Sequence, residues 1–277
     1  MLALIREKLD NLRQSERRVA SFVLEKPEDV LYLSVSEVAD RTGTSDPTVI
    51  RFCRALGLSG FQEFKIELAR HLVPPYKSIH EEAEAGDEPA ALIRKVFTAN
   101  SQALAETMQV LDPAEVGRAL AALERAGRIE FYGLGGSGMV AQDAYHKFFR
   151  LGIPCTALID PHMQVMSAAI LKPGDVVVAI SHSGSSKDIV ESLHVARGAG
   201  ATTIGIVSHQ ACPVAAAADI KLCCHTREIA FKPEPMSSRI AQLSVIDVLA
   251  VGVALRRKEV AVENLGKARR ALVQKRY

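Results

Sequence analysis

Two segments of this 277-residue chain set small hydroxyl and glycine residues where an anion could be held. Residues 129–138 read IEFYGLGGSG, and residues 176–187 read VVVAISHSGSSK. Each is a short apolar run, then a turn of Gly and Ser, then the opening of a helical pattern. A helix N-terminus leaves backbone N–H groups without intrahelical partners, and its dipole favours negative charge. A phosphate offers strong acceptors only, so it needs donors from several directions. The hydroxyls of Ser137 in the first turn and of Ser181, Ser183 and Ser186 in the second supply them without a buried positive charge. Gly184 allows close backbone approach between the latter two.

Rival chemistries draw on the same residues. Gly133, Gly135 and Gly138 also satisfy G-x-G-x-x-G, and Asp160 follows where a ribose-binding acid would lie, so a dinucleotide site competes. The second turn, SHSGSS, favours the phosphate reading, because a dinucleotide fold does not require it. A serine-hydrolase elbow fails, since position 139 is Met where G-x-S-x-G needs its second Gly. The five cysteines (53, 155, 212, 223 and 224) include no C-x-x-C pair, and His225 beside two of them does not complete a zinc set. They are expected as buried thiols in a reducing compartment, with no metal and no cofactor.

The elements that position these turns follow from the apolar pattern. Short β-branched runs at 128–133, 154–159, 176–181, 202–207 and 219–224 alternate with helical patterns, which predicts a five-stranded parallel sheet with helices on both faces. Near-continuous apolar character in VVVAI and TIGIV fits strands buried on both sides. Such sheets bind ligands at the carboxyl ends of their strands, where both Ser-Gly turns lie. Helical patterns over 89–110 and 113–126 precede the first strand, and a long one over 238–256 follows the last.

Before this α/β region stands a different module. The stretch 73–90, VPPYKSIHEEAEAGDEPA, marks a boundary by its Pro pair and acidic run. The division expected is an all-α domain over 1–72, a linker over 73–88 and the α/β domain over 89–277. Helices are predicted over 2–12, 15–25, 36–42, 46–56 and 60–72. The third and fourth, joined by Thr42-Gly43-Thr44-Ser45, have the helix-turn-helix pattern. Ser45 or Asp46 can cap the second of the pair, and Pro47 suits its start. Val49, Phe52, Cys53 and Leu56 share its core face. Thr48 and Arg51 are then expected to face base edges in double-stranded DNA, with Ser45 and Arg54 on phosphates. Residues 1–73 hold 11 basic and 11 acidic side chains, so this module has no general excess of positive charge.

Residues 34–69, SVSEVADRTGTSDPTVIRFCRALGLSGFQEFKIELA, resemble the helix-turn-helix of the RpiR family of bacterial transcription regulators. In that family the module is joined to a sugar-isomerase (SIS) domain of flavodoxin-like fold that senses a phosphosugar. The resemblance spans nearly the whole chain. It implies that Ser137, Ser181, Ser183 and Ser186 bind the sugar phosphate, matching the family's S-x-S-G-x-S/T segment and the serine of its first loop. Many SIS isomerases carry Glu after the Gly of the second loop. Ser185 stands there, so a regulator rather than an enzyme is expected, with an isomerase or dinucleotide enzyme as the alternative. His146, His162 and His182 keep acid–base chemistry open by inventory.

The segments 143–154, 180–184 and 237–252 are most similar to HexR-like members. Those regulate glucose catabolism and respond to 2-keto-3-deoxy-6-phosphogluconate. A carboxylate on such a ligand would want a cation, for which Lys147, Arg150, Lys187 and Arg239 are candidates. A repressor acting as a homodimer or higher oligomer is implied, because a two-fold protein matches a palindromic operator. The apolar helix 238–256 is the candidate dimer surface, or else it only covers the sheet.

Composition agrees. With 48% hydrophobic and 24% charged residues, the chain has the balance of a globular protein. No apolar run is expected to approach the ~18–20 residues of a membrane span. The N-terminal dodecamer MLALIREKLDNL reads as one helical face rather than a secretory signal, so a cytoplasmic location is expected. From Arg256 onward eight Lys or Arg stand against two Glu, which is taken as a solvated helix end.

Overall fold

The computed structural model describes residues 1–72, 84, 86–225 and 236–273, with backbone alone for Tyr32, Arg70 and His71. Among these residues the chain divides into two compact units, the break falling between Ala99 and Asn100.

The first unit is helical: α1 (Leu2–Lys8), α2 (Gln14–Glu25), α3 (Pro27–Tyr32), α4 (Val35–Thr42), α5 (Asp46–Ala55) and α6 (Phe61–Leu72), followed by the first half of α7 (Pro89–Val110). The helix expected over 2–12 narrows after Lys8 into a 3₁₀ turn, Leu9–Asn11. A reciprocal cap starts α4: Ser34 Oγ accepts from Glu37 N–H at 3.2 Å, and Ser34 N–H donates to Glu37 Oε2 at 2.7 Å. Ile5, Val19, Val23, Val38, Val49, Phe52, Phe64 and Leu68 form a fully buried core, with the Phe52 and Phe64 rings edge to face at 5.4 Å.

One cation sits inside this unit. Lys65 is 3% exposed, and its Nζ donates to the Leu33 carbonyl at 2.9 Å, holding the α3–α4 connection. Burial lowers its pKa from the usual 10.5 to about 8, opposed by the charge of Glu37.

The second unit continues with α8 (Pro113–Glu124), β1 (Ile129–Gly133), α9 (Gly136–Phe149), β2 (Cys155–Leu158), α10 (Pro161–Ala169), β3 (Val176–Ser181), α11 (Lys187–Gly198), β4 (Thr202–Val207), α12 (Pro213–Ala217), β5 (Ile220–Cys223), α13 (Ser237–Arg256) and α14 (Lys258–Val273). The five strands are all parallel, in the order β2-β1-β3-β4-β5. Ile129, Phe131, Val178 and Ile204 pack against α8, α9 and α13 on one face. Tyr132, Val177, Ala179 and Val207 pack against α10, α11 and α12 on the other.

The order reverses between β1 and β3, which opens a crevice at their carboxyl ends. Gly133 is registered against Ile180, so the turns leaving the two strands start side by side.

The expectation that no segment approaches a membrane span needs one correction. By length and composition alone, α13 could cross a membrane. It nevertheless lies on the sheet, burying Ala241, Val245, Ile246, Leu249 and Val253 in the core. Its opposite side exposes Val248, Val251 and Leu255.

The buried lysine gives a pH dependence of known sign. A depressed lysine pKa means the folded chain binds fewer protons than the unfolded chain between about pH 8 and 10.5. Stability therefore rises with pH across that window and is lost as pH falls toward 8. Lys65→Met removes this contribution. Relative to the variant, wild type should gain on the order of 2 kcal/mol between roughly pH 7.5 and 9.5 in urea unfolding of the first unit. A difference that does not move with pH would contradict the buried ammonium.

Candidate functional site

In the first unit the chemistry lies on α5. The turn before it is set by Gly43, at φ 60°, a left-handed position suited to glycine. Thr44 N–H donates to Ala39 O at 2.8 Å and Gly43 N–H to Asp40 O at 3.2 Å, which closes α4 with a Schellman motif. Ser36 Oγ, donating to Asp46 Oδ2 at 2.7 Å, fastens α4 to the first residue of α5. Val49, Phe52, Cys53 and Leu56 are buried as their spacing predicts. Burial pushes the Cys53 thiol up to about 12, so it is unreactive.

Two placements differ from the helical wheel. Ser45 occupies the N-cap position but makes no capping bond; its hydroxyl lies 3.0 Å from that of Thr48. Thr48 does not face outward beside Arg51. It is 4% exposed, because the start of α5 packs against α2 and α4. Its Oγ1 accepts from Arg51 Nη2 at 2.8 Å. Arg51 and Arg54 are exposed, as expected.

In the second unit, Ser137, Ser181, Ser183 and Ser186 belong to the two turns at the β1/β3 crevice. A Cβ on Gly133 would stand 2.4 Å from the Ser137 carbonyl, so only glycine lets α9 begin this close to the strand. Gly135, at φ 53° and ψ −127°, makes the bend, and Ser137 follows in the first turn of α9. In the second turn Ser181 is buried, and its Oγ accepts from Gly184 N–H at 3.2 Å. Ser183 Oγ accepts from Ser185 N–H at 3.3 Å. A hydroxyl whose lone pair is engaged in this way keeps its proton to donate, which is what an anion requires. Ser186 is the N-cap residue of α11, and its side chain makes no capping bond.

Contacts that sequence reasoning did not foresee hold the two turns in shape. Gly184 has φ 63°, and its carbonyl accepts from Val214 N–H at 2.9 Å. A Cβ there would meet Cys212 Sγ at 2.3 Å. His182 Nδ1 lies 2.9 Å from Ser208 Oγ, which ties the turn to the end of β4. Gln164, fully buried, donates to Leu158 O at 2.8 Å and Gly133 O at 3.4 Å, joining α10 to the ends of β2 and β1. The Ser-Gly-Ser spacing hints at the first of these. Nothing local in the sequence marks Gln164 for its contact with Gly133 or Ser208 for its contact with His182, since each pair is distant in the chain.

The other expected residues separate. Lys147 pairs with Asp143 and, at 2.8 Å, with Asp247 of α13. Arg150 Nε donates to His146 O at 3.1 Å at the far end of α9. Ten residues of helix, about 15 Å, separate Lys147 from Ser137, so neither cation reaches the crevice. Lys187 opens α11 beside Ser186, and Arg239 lies in the first turn of α13. His146 packs near Phe149, with ring centroids 5.9 Å apart, well down α9; His162 lies in the first turn of α10. Asp160 Oδ1 caps α10 by accepting from Met163 N–H at 2.9 Å, a local role that needs no ribose. Ser185 Oγ donates to Ser183 O at 3.1 Å. Among the described residues no group of His, Cys, Asp and Glu has the arrangement of a metal site.

Residues 1–75 match the helix-turn-helix domain of the rpiR family, and residues 122–252 match the SIS domain. An uncharacterised HTH-type transcriptional regulator of Caldanaerobacter subterraneus subsp. tengcongensis is 45% identical over 254 residues, 92% of this chain and 90% of that protein. The HTH-type transcriptional regulator HexR of Pseudomonas aeruginosa is 38% identical over 277 residues, 100% of this chain and 97% of its own. Among solved structures, the Vibrio vulnificus NanR protein complexed with ManNAc-6P has the same fold. Its TM-score is 0.88 at 22% identity, covering 99% of this chain and 98% of that one.

The second turn's geometry predicts a substitution effect. Gly184→Ala combines a left-handed backbone with a contact against Cys212 and should destabilise the second unit by about 1–3 kcal/mol in urea unfolding. Adding Cys212→Ala should recover part of the loss. Wild-type stability in Gly184→Ala would show that the turn is not shaped as described.

Proposed function

This chain belongs to the RpiR family of helix-turn-helix transcriptional regulators and carries that family's SIS domain, and on this premise we propose that it represses sugar-catabolic genes until a phosphosugar releases it from operator DNA. The observation that carries the reading is the pairing of two devices in one chain. One is a glycine-closed helix-turn-helix with exposed arginines; the other is a pair of hydroxyl-lined turns at a sheet's switch point.

In this reading Arg51 reads base edges in the major groove, and Ser45 and Arg54 contact phosphates. Thr48 serves through Arg51 rather than by touching a base. Ser137, Ser181, Ser183 and Ser186 hold the effector's phosphate. The effector is 2-keto-3-deoxy-6-phosphogluconate, the signal implied by the HexR-like resemblance, with Lys187 or Arg239 facing its carboxylate. The domain limits are 1–72 and 89–277, with 73–88 as linker. The chain works in the cytoplasm as a homodimer, for which the exposed Val248, Val251 and Leu255 of α13 supply a self-complementary apolar strip. It binds its phosphosugar without turning it over, in keeping with regulator-named relatives and with Ser185 in place of a carboxylate.

Coupling requires the effector to prefer the dimer arrangement whose recognition helices miss successive major grooves. A typical coupling of ~1–3 kcal/mol changes operator affinity by roughly five- to 150-fold. The test is a thermal-shift screen of phosphosugars, sugar acids and NAD(P), with a gel shift on each hit. Effector at 100 times its dissociation constant should stabilise the chain by ~2.7 kcal/mol. Ser137→Ala and Ser181→Ala should abolish that shift and leave DNA binding intact. Arg51→Ala should flatten the preference for operator over random duplex, a loss of ~1–3 kcal/mol. Stabilisation by NAD(P) alone would transfer the glycine-rich turn to the dinucleotide reading. Turnover of a phosphosugar with no effect on DNA would make the chain an isomerase.

A further inference from the structure

The helix that carries Arg51 does not hold it alone. Glu16, on α2, is 6% exposed, an unusual place for a carboxylate. Its Oε2 accepts from the backbone N–H of Arg13 at 3.1 Å, which fixes the carboxylate at the start of α2. Its Oε1 lies 3.8 Å from Arg51 Nε. The Nη2 of the same guanidinium donates to the buried Thr48 hydroxyl at 2.8 Å. Arg51 itself remains 47% exposed. Its guanidinium thus has protein contacts at Nε and Nη2, while the side chain as a whole stays half exposed.

We infer that Glu16 and Thr48 are positioning residues that orient Arg51 for a base edge and oppose its use on the DNA backbone. The inference rests on the reading of Arg51 as a base contact. Two physical effects combine. A free arginine samples many rotamers, whereas a tethered fork meets the paired acceptors of a guanine in one geometry. A phosphodiester approaching the same guanidinium also meets the Glu16 carboxylate, and like charges repel. A guanine edge presents neutral acceptors and is penalised far less. The balance of 11 basic and 11 acidic side chains over residues 1–73 points the same way, toward weak sequence-independent attraction and discrimination by a few placed contacts.

The experiment uses the full-length chain, a duplex enriched from a random-sequence pool by the wild-type protein, and an unselected random duplex. Affinity for each is measured across a salt series. Glu16→Gln keeps an oxygen for the Arg13 N–H but removes the charge. It should raise affinity for random duplex, steepen the salt slope by up to about one, and lower the selected-to-random ratio roughly ten-fold. Thr48→Val should lower the ratio, and Thr48→Ser, which keeps the hydroxyl, should restore it. Thermal midpoints confirm that each variant is folded, and if Thr48→Val is not, Glu16→Gln decides. A wild-type ratio and slope in Glu16→Gln, with a flattened ratio in Arg51→Ala, would overturn the positioning role and leave base reading intact. An unchanged ratio in Arg51→Ala would overturn both.

Discussion

Gly133 has no room for a side chain, and the arrangement of the second unit's crevice depends on that. The Ser137 carbonyl lies 2.4 Å from where a Cβ would be, so the first turn of α9 rests directly on the end of β1. Because Gly133 is paired with Ile180 in the neighbouring strand, α9 starts next to the strand end from which the second turn leaves. The parallel order fixes which strand ends are neighbours, and the glycine fixes how near the helices come. With a larger residue the start of the helix would have to withdraw from the strand end.

The two units solve opposite electrostatic problems with similar economy. On the proposed reading the crevice must attract an anion, and there loop N–H groups occupy lone pairs of Ser181 and Ser183 and leave the hydroxyl protons to donate. On the same reading the helix-turn-helix must avoid attracting every anion alike, and there a buried carboxylate stands beside the exposed arginine. In each case the charge or dipole is held by short contacts within one turn or between adjacent helices, so little reorganisation is needed when the ligand arrives.

The sequence carries most of the architecture because its signals are local. Five β-branched runs fall within a residue or so of the observed strands, and the Gly43 turn and the apolar face of α5 stand where periodicity places them. The failures are equally physical. Six-residue α3 is too short to show a helical period, although Pro27 with Glu28 and Asp29 in its first turn mark a start. Thr48 lies outside the apolar stripe yet is covered, since a wheel describes one helix and burial there comes from two others. Lys147 and Lys187 look equivalent in a sequence; distance along a helix separates them. Gln164 and Glu16 act on partners 31 and 35 positions away, at Gly133 and Arg51, which no spacing rule reports.

The place of α13 in the chain has a consequence for how the protein is made. One face of the sheet, including Ile204, Ile206, Ile220 and Leu222, shares its core with a helix that begins only at Ser237. During synthesis all five strands are made before α13, which covers this face together with α8 and α9. The helices α1 to α6 of the first unit are made long before that point. A chain ended between Cys223 and Ser237 and released would therefore hold a folded helical module attached to a sheet that lacks α13, a species suited to aggregation or to chaperone capture.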